Sequence, residues 1–275
     1  MNSSNSINAA ITRLYPELSP SARVIANYIQ AHPLAILSMS MNDIAIATAT
    51  SKATVSRFFR QIGYDSHQQV KAELHHLRQS GLPVAPVDAP NQNDLAQEIE
   101  RLTKTIHDIP AQQLAQIVTL IATSPKISIV GFRNSYPVAL HFRQQLKQIR
   151  ASVRILPQPG QTLAEELVDL APDELIILVG FRRRPKGFRQ LVESIAGQPT
   201  ILLTDPSGQV FNQQVDHLLV CHLGQENAFD SYAAPMSVLS MICNHVYQTL
   251  KDQGGESRIE GISTLYKQLD ELSDL

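Results

Sequence analysis

Apolar positions follow two different periods along the chain. Before residue 80 they recur every three or four positions, as Ala22, Ile25, Ala26 and Ile29 do, which is typical of amphipathic helices. After residue 125, short continuous apolar runs alternate with helical stretches, which is typical of strands buried on both faces of a parallel sheet. The pattern predicts a multi-domain protein, in which an all-α domain precedes an α/β three-layer sandwich with a parallel five-stranded sheet.

The segment between the two patterns reads GLPVAPVDAPNQN, and its three prolines without periodicity predict an extended linker. We therefore expect a helical domain at 1–80, a linker at 81–93, an α/β domain at 94–250 and a polar tail with one weak helix at 251–275. Helices are expected from Asp94 to about His107 and from Met236 to Leu250. The predicted strands are Lys126–Phe132, Val153–Leu156, Glu174–Val179, Thr200–Thr204 and His217–Cys221.

Residues 42–62 suggest a helix-turn-helix motif. A short helix, Asp43–Thr48 with Asn42 as its cap, is followed after a tight connection by Lys52–Ile62, and Gly63 supplies a left-handed ending. The first turn of the second helix is polar and basic, which suits entry into the major groove of DNA. An ordinary helical hairpin with a solvated basic face is the alternative interpretation. The candidate DNA-binding residues are Ser51, Lys52, Thr54, Arg57 and Arg60.

The net charge of the whole chain hides a division between its two parts. The 275 residues have a formal net charge of -2, which taken alone argues against a nucleic-acid binder. Residues 1–80, however, contain seven Lys or Arg and four Asp or Glu, whereas the remainder contains 16 and 21. The front of the chain is therefore basic and the back acidic, as expected for a recognition module joined to a second domain.

Several classes of protein are not expected. The two cysteines, Cys221 and Cys243, are too few for a disulfide framework or a Cys-type zinc site, and their apolar neighbours predict buried thiols in a reducing cytoplasm. The chain shows no 18-residue apolar span, no signal-peptide pattern and no HExxH spacing. We therefore expect a cytoplasmic protein without a metal, a cofactor or a membrane partner.

Residues 7–78 resemble the N-terminal domain of the RpiR family of bacterial transcriptional regulators. The resemblance lies in the phrases LSPSARVIANYIQAHP and IAIATATSKATVSRFFRQIGYDSHQQVKAEL. In the turn, Ala49-Thr50 stands where the family usually has Gly-Val, and alanine adopts a left-handed conformation only at a cost. The resemblance implies double-stranded operator DNA as a partner, and a homodimer or homotetramer formed largely through the second domain. The apolar helix Met236–Leu250 is a candidate interface element, with burial in the core of its own domain as the alternative.

Residues from about 95 to 250 resemble the SIS (sugar isomerase) domain that follows in this family. The matching marks are Ile127–Gly131, the Thr204-Asp205-Pro206 turn, Asp216 and Glu226. The loops depart from the family pattern. Arg133 replaces the second glycine of Gly-x-Gly-x-Ser, although Ser135 remains. The segment from Val179 to Lys186 lacks the hydroxyl groups that normally cradle a sugar phosphate.

Two of these loops share a motif, because Val130–Arg133 and Val179–Arg182 both read Val-Gly-Phe-Arg at the end of a predicted strand. Such ends meet at one edge of a doubly wound sheet, and arginine binds carboxylates and phosphates with two hydrogen bonds. We therefore expect a site for a small anionic effector, a sugar phosphate or a carboxylate, to which nearby helix N-termini contribute. At least one of three consecutive arginines must point elsewhere. The candidate effector-binding residues are Gly131, Arg133, Asn134, Ser135, Arg182, Arg183, Arg184, Lys186 and Glu226.

The combination predicts a ligand-responsive DNA-binding regulator without enzymatic activity. One alternative is a sugar-phosphate isomerase with an accessory helical domain, in which Glu226 and His222 are the candidate acid and base. The other alternative is an interaction module whose helical front binds protein.

Overall fold

The computed structural model describes residues 7–32, 35–80, 94–224 and 229–272, so the predicted linker at 81–93 lies outside the described residues. The chain separates into two compact units. One contains residues 1–91 and 225–230, and the other contains residues 92–224 and 231–275. Each unit has a hydrophobic core of its own.

The first unit is helical, as the period of its apolar positions predicted. Ser19 caps α2 by accepting a hydrogen bond from Ala22 N at 3.3 Å, and Pro20 occupies the first helical position, where its missing N–H does no harm. The residues at positions 22, 25, 26 and 29 are all buried. The described helices are α1 (Ile7–Leu14), α2 (Pro20–Ala31), α3 (Ala35–Ser38), α4 (Met41–Ala47), α5 (Lys52–Gln61) and α6 (His67–Ser80).

The second unit is an α/β sandwich, which confirms the predicted fold class. Its five parallel strands lie in the order β2-β1-β3-β4-β5. They are β1 (Ile127–Gly131), β2 (Val153–Leu156), β3 (Leu175–Gly180), β4 (Thr200–Thr204) and β5 (His217–Val220). The helices are α7 (Asp94–His107), α8 (Ala111–Thr123), α9 (Ser135–Ile149), α10 (Leu163–Leu167), α11 (Phe188–Ser194), α12 (Ala233–Leu250) and α13 (Gly255–Leu269).

Helices cover both faces of this sheet. On one face α8, α9 and α12 pack against strand residues such as Ile129 and Ile177, and on the other α10 and α11 pack against Val130 and Leu178. Successive strand side chains point to opposite faces, so both sets must be apolar. This explains why the strands are continuous apolar runs in the sequence.

A buried charge cluster holds the amino ends of β1 and β3. Glu174 is fully buried, receives a hydrogen bond from Ser128 Oγ, and pairs with Arg154 at 3.1 Å and Lys126 at 3.0 Å. Burial by itself raises the pKa of Glu174, but these hydrogen bonds and positive charges lower it overall. The cluster fixes one edge of the sheet, and the opposite, carboxyl edge carries the candidate ligand site.

The segment predicted as a polar tail contains a helix of 15 residues, α13, which lies against the second unit. Arg258 Nε donates a hydrogen bond to Lys147 O at 2.9 Å, and Ile259 packs on the main core of the sheet. Residues 255–269 are therefore part of the α/β unit.

Candidate DNA-binding and effector sites

The helix before the turn begins with a capping box. Ser40 Oγ accepts a hydrogen bond from Asp43 N at 3.2 Å, and Asp43 Oδ2 accepts one from Ser40 N at 2.8 Å. The hydrogen bond from the Ser40 backbone is the main cause that lowers the pKa of the Asp43 carboxyl. The prediction that Asn42 caps this helix was wrong, because the reciprocal pair makes Ser40 the cap and starts α4 at Met41, two residues earlier than predicted.

The turn between α4 and α5 contains a strained alanine. Ala49 has a φ of 49°, in the left-handed region that costs a non-glycine residue about 1 kcal/mol. Thr50 N donates to Ala45 O at 2.8 Å, and Thr48 Oγ1 donates to Ile44 O at 2.7 Å. These bonds hold the turn in the tight form that the motif requires, although glycine is missing from it.

Helix α5 has one buried face and one basic face. Val55, Phe58 and Phe59 are buried in the helical core. Ser51 Oγ accepts a hydrogen bond from Thr54 N at 3.1 Å and lies 2.8 Å from Thr54 Oγ1, so it caps the helix as predicted. The side chains of Lys52, Arg57 and Arg60 are exposed, and none of them forms an ion pair with another described residue.

In the second unit, the structure places the two Val-Gly-Phe-Arg loops side by side. Gly131, the last residue of β1, pairs with Val179 of β3. Phe181 N also donates a long hydrogen bond of 3.5 Å to Ser135 Oγ, which joins the loop after β3 to the start of α9. The loops that carry Arg133 and Arg182 are therefore neighbours at the carboxyl edge of the sheet.

The glycines of both loops allow close packing. A Cβ at position 131 would lie 2.8 Å from the Cβ of Ala139 and 2.9 Å from the backbone oxygen of Ser135. A Cβ at position 180 would lie 2.5 Å from the ring of Phe188. Gly131 is buried, so its clearest role is to let α9 approach β1.

The predicted effector-binding side chains differ in their exposure. Arg133 and Asn134 are exposed, and Arg133 takes a φ of 53°, the conformation natural to the glycine that it replaces. Arg182 and Arg183 are half-buried, and Lys186 is exposed. The Nε atom of Arg183 is buried and has no hydrogen-bond partner among the described residues.

Arg184 forms hydrogen bonds with other residues of the same unit. Its guanidinium donates to Thr204 Oγ1 at 2.5 Å, to Asp205 Oδ1 at 3.0 Å and to Gly180 O at 3.1 Å. Its carbon Cζ lies 5.7 Å from the ring centres of both Phe188 and Phe211. Burial lowers the pKa of Arg184, and the charge of Asp205 opposes this shift. It is therefore the arginine that ties the ends of β3 and β4 together.

Helix N-termini contribute less than we expected. In the first turn of α9, Ser135 N donates to Phe132 O and Tyr136 N donates to Arg133 O, both at 3.0 Å. The third residue, Pro137, has no N–H. The backbone donors of the first two residues of α9 are therefore already used.

The loop after β5 is tied to α7. His222 N donates to Thr105 Oγ1 at 3.0 Å, and His222 Nε2 lies 3.2 Å from Asp108 Oδ2. Ser231 Oγ donates to Glu98 Oε1 at 2.6 Å on the far side of the loop. Glu226, which we predicted to bind the effector, lies outside the described residues. No local pattern predicts these hydrogen bonds to α7, because they join positions more than 100 residues apart.

The described residues contain neither an exposed cysteine nor a cluster of metal-ligating side chains. Residues 221 and 243 are buried free cysteines, and burial raises the pKa of Cys243 to about 12. In the described ranges, nowhere do three or more His, Cys, Asp or Glu side chains gather as a metal site requires. Of the helices described, none has the length and apolar character needed to cross a bilayer.

Comparison with known families agrees with this architecture. Residues 5–80 match the model of the helix-turn-helix domain of the rpiR family, and residues 120–244 match that of the SIS domain. A protein of Thermotoga maritima named an uncharacterized HTH-type transcriptional regulator is 22% identical over 207 residues, 68% of this chain and 74% of its own. A protein of the same description from Caldanaerobacter subterraneus is 26% identical over 207 residues, 71% and 73% of the two chains.

Solved structures share the fold. The sugar isomerase domain of an RpiR transcription factor from Sphaerobacter thermophilus is 22% identical and has a TM-score of 0.56, covering 66% of this chain and 100% of its own. The NanR protein of Vibrio vulnificus, complexed with ManNAc-6P, is 18% identical and has a TM-score of 0.57, covering 98% and 99% of the two chains.

A helix-turn-helix unit joined to a SIS unit, among relatives named as regulators, defines a ligand-responsive transcriptional regulator. Its helix-turn-helix domain is of the RpiR type, as the resemblance of its first 80 residues had indicated. The regulator names of the relatives favour a binding role for the SIS domain over the alternative isomerase activity.

Proposed function

We propose that this regulator reads operator DNA through α5 and responds to a small anionic metabolite held between the loops after β1 and β3. The observation that carries the effector proposal is the placement of Arg133, Arg182 and Arg183 on neighbouring strand ends. The buried Nε of Arg183 supports it, because a buried donor without an acceptor is costly and an anionic ligand supplies the acceptor. Asn134, Ser135, Lys186 and Glu226 are the further candidate contacts.

Arg184 and Gly131 are left out of the proposed contacts. Arg184 already donates to Asp205, Thr204 and Gly180, and Gly131 faces the start of α9. The effector class is a sugar phosphate or a carboxylate, since arginine matches both geometries. The complex of Vibrio vulnificus NanR with ManNAc-6P makes a phosphorylated sugar the first ligand to test.

Calorimetry on the full chain tests the effector site. ManNAc-6P and citrate are titrated in turn, with unphosphorylated ManNAc as the uncharged control. Arg133→Ala and Arg183→Ala should each weaken binding of the anion that binds by tenfold or more, because each removes a charge-assisted hydrogen bond. Arg143→Ala, more than two helical turns along α9, is the matched control and should bind as the wild type does. Wild-type affinity in both loop variants would show that the arginines are not the site.

Binding of DNA by α5 rests on three exposed cations on one face, Lys52, Arg57 and Arg60, beside a polar first turn that contains Ser51 and Thr54. Duplexes selected from a random library by the wild-type protein provide the probe for a gel shift. Lys52→Ala/Arg57→Ala should abolish retention and flatten its salt dependence, because phosphate contacts release counterions. Arg23→Ala is the control, since this exposed arginine is held by Pro16 O at 2.8 Å.

We expect effector binding to change the geometry of DNA binding through α7 and the linker. The support is that α7 holds the loop after β5 on both sides, through Thr105 and Glu98. A palindromic operator read by two copies of α5 requires a homodimer or homotetramer. Helix α12, the interface element suggested by sequence, buries Val238, Leu239 and Ile242 in its own core. Its other face borders an open concavity of about 730 Å³, lined by Met236, Ser237, Ser240, Met241, Asn244, His245 and Gln248.

The isomerase alternative is tested by turnover on a panel of sugar phosphates. The support for a binding role is that the relatives are named as transcriptional regulators. We expect no product above the uncatalysed rate.

A further inference from the structure

Helix α7 turns its polar side toward its own unit and its apolar side toward solvent. Thr105 is fully buried, and the side chains of Glu98 and Arg101 are mostly covered. Leu95 and Ile99, in contrast, are 73% and 56% exposed. This is the reverse of an ordinary surface helix, whose apolar stripe faces its own core.

The exposed apolar residues of α7 follow a heptad repeat. Leu95, Ile99, Leu102 and Ile106 are separated by four, three and four positions, so they line one seam along a helix about 21 Å long. Ile106 is 40% exposed and Leu102 is half-buried. A seam of this kind in water marks a surface that another helix covers.

We propose that this seam pairs with the same helix of a second copy of the chain, in parallel. Ile99 and Ile106 occupy the a positions and Leu95 and Leu102 the d positions, the arrangement that favours two parallel strands. The exposed positions that flank the seam on one side are Ala96 and Thr103, which are small and uncharged. Two identical helices therefore meet there without like charges facing each other.

The seam has two heptads, which is short for a coiled coil that must hold alone. The pairing of α7 therefore acts together with other surfaces of the two copies of the chain. This inference rests on one point of the proposed function, which is that the protein is a homo-oligomer. In such a dimer, the helix that holds the loop after β5 also forms the contact between copies.

Cross-linking tests the parallel pairing directly. Cys221 and Cys243 are both buried, so a thiol introduced on the surface dominates the oxidation of the folded full chain. In Ile99→Cys, an a position faces itself across a parallel seam, and mild oxidation should convert most chains into disulfide-linked dimers. Val168→Cys, which is 78% exposed at the end of α10, is the control and should stay monomeric on a non-reducing gel. If disulfide-linked dimers formed only when chains with Leu95→Cys were mixed with chains with Ile106→Cys, the two helices would run antiparallel. That result would overturn the parallel arrangement.

Sedimentation velocity then tests the seam by disruption. Leu95→Glu/Ile99→Glu should weaken the dimer at least tenfold, whereas Val168→Glu should sediment as the wild type does. Circular dichroism checks that both variants fold, which we expect because the substituted positions are exposed. An oligomeric wild type that is unaffected by the double change would refute the α7 seam and leave the homo-oligomer standing. A monomeric wild type at tens of micromolar would refute both.

Discussion

The two Val-Gly-Phe-Arg segments are identical in sequence and different in structure. Gly131 of the first segment pairs with Val179 of the second, so the two copies lie one residue out of step across β1 and β3. A slip of one residue moves each side chain to the other face of a sheet. Phe132 therefore packs with the α10 and α11 side of the sheet, and Phe181 packs with the α8, α9 and α12 side.

The difference extends to the arginines that follow. Arg133 is exposed and left-handed, in the place of a family glycine, whereas Arg182 is half-buried without a positive φ. Two residues further on, Arg184 is a structural clamp. The repeated motif thus lies at neighbouring strand ends, as its place after two predicted strands indicated, and the roles of the arginines in effector binding stay a prediction. Substitutions at matched positions of the two segments separate these roles.

The largest effect is expected from Arg184→Ala. It leaves the buried carboxylate of Asp205 without its 3.0 Å partner, and removing one member of a buried pair costs about 3 kcal/mol. Chemical denaturation of the full chain should show this loss in the transition of the α/β unit. Arg133→Ala, at an exposed position, should change the free energy of unfolding by less than about 0.5 kcal/mol. Equal losses in the two variants would contradict the distinction between clamp and ligand contact.

The losses of stability in Gly131→Ala and Gly180→Ala should differ from each other less than those of the two arginine variants do. Gly131→Ala places a Cβ against the backbone of Ser135, which cannot move without shifting α9, and we expect a loss of about 2 kcal/mol. Gly180→Ala meets the ring of Phe188, which is a side chain and not backbone, and we expect about 1 kcal/mol. Thermal unfolding of the pair gives the order, and a larger loss at position 180 would show that the ring is the more rigid neighbour.

The smallest effect on stability is expected at Arg133 and Arg182, the last residues of the two motifs. Arg133→Gly relieves the left-handed backbone and should raise the free energy of unfolding by about 0.5 kcal/mol while weakening effector binding. Arg182→Gly relieves no such strain and should lower stability by a similar amount. Parallel denaturation and calorimetry on both variants check this, and a stability change of the same sign in both would refute the account of position 133.

Much of the fold was readable from the sequence because burial on both faces forces continuous apolar strands. The helix-turn-helix was also readable, since Ser51, Gly63 and the apolar spacing of α5 are local signals. Helices α1, α3 and α8 were not predicted. The register between β1 and β3 depends on contacts between distant segments, and so do the hydrogen bonds of Arg184 to Thr204 and Asp205. No local sequence pattern predicts them. The exposed seam of α7 was equally hidden, because a helical period does not say which way the apolar face points.

The central claim is that the loops after β1 and β3 hold one anion between them. A double-mutant cycle on the full chain tests this claim most directly, with ManNAc-6P affinity measured by calorimetry and citrate as the carboxylate probe. Arg133→Ala, Arg183→Ala and their combination complete the cycle. If one ligand contacts both side chains, the two losses should depart from additivity by more than about 0.5 kcal/mol. Losses that add within that margin, or wild-type affinity in all three variants, would contradict the account.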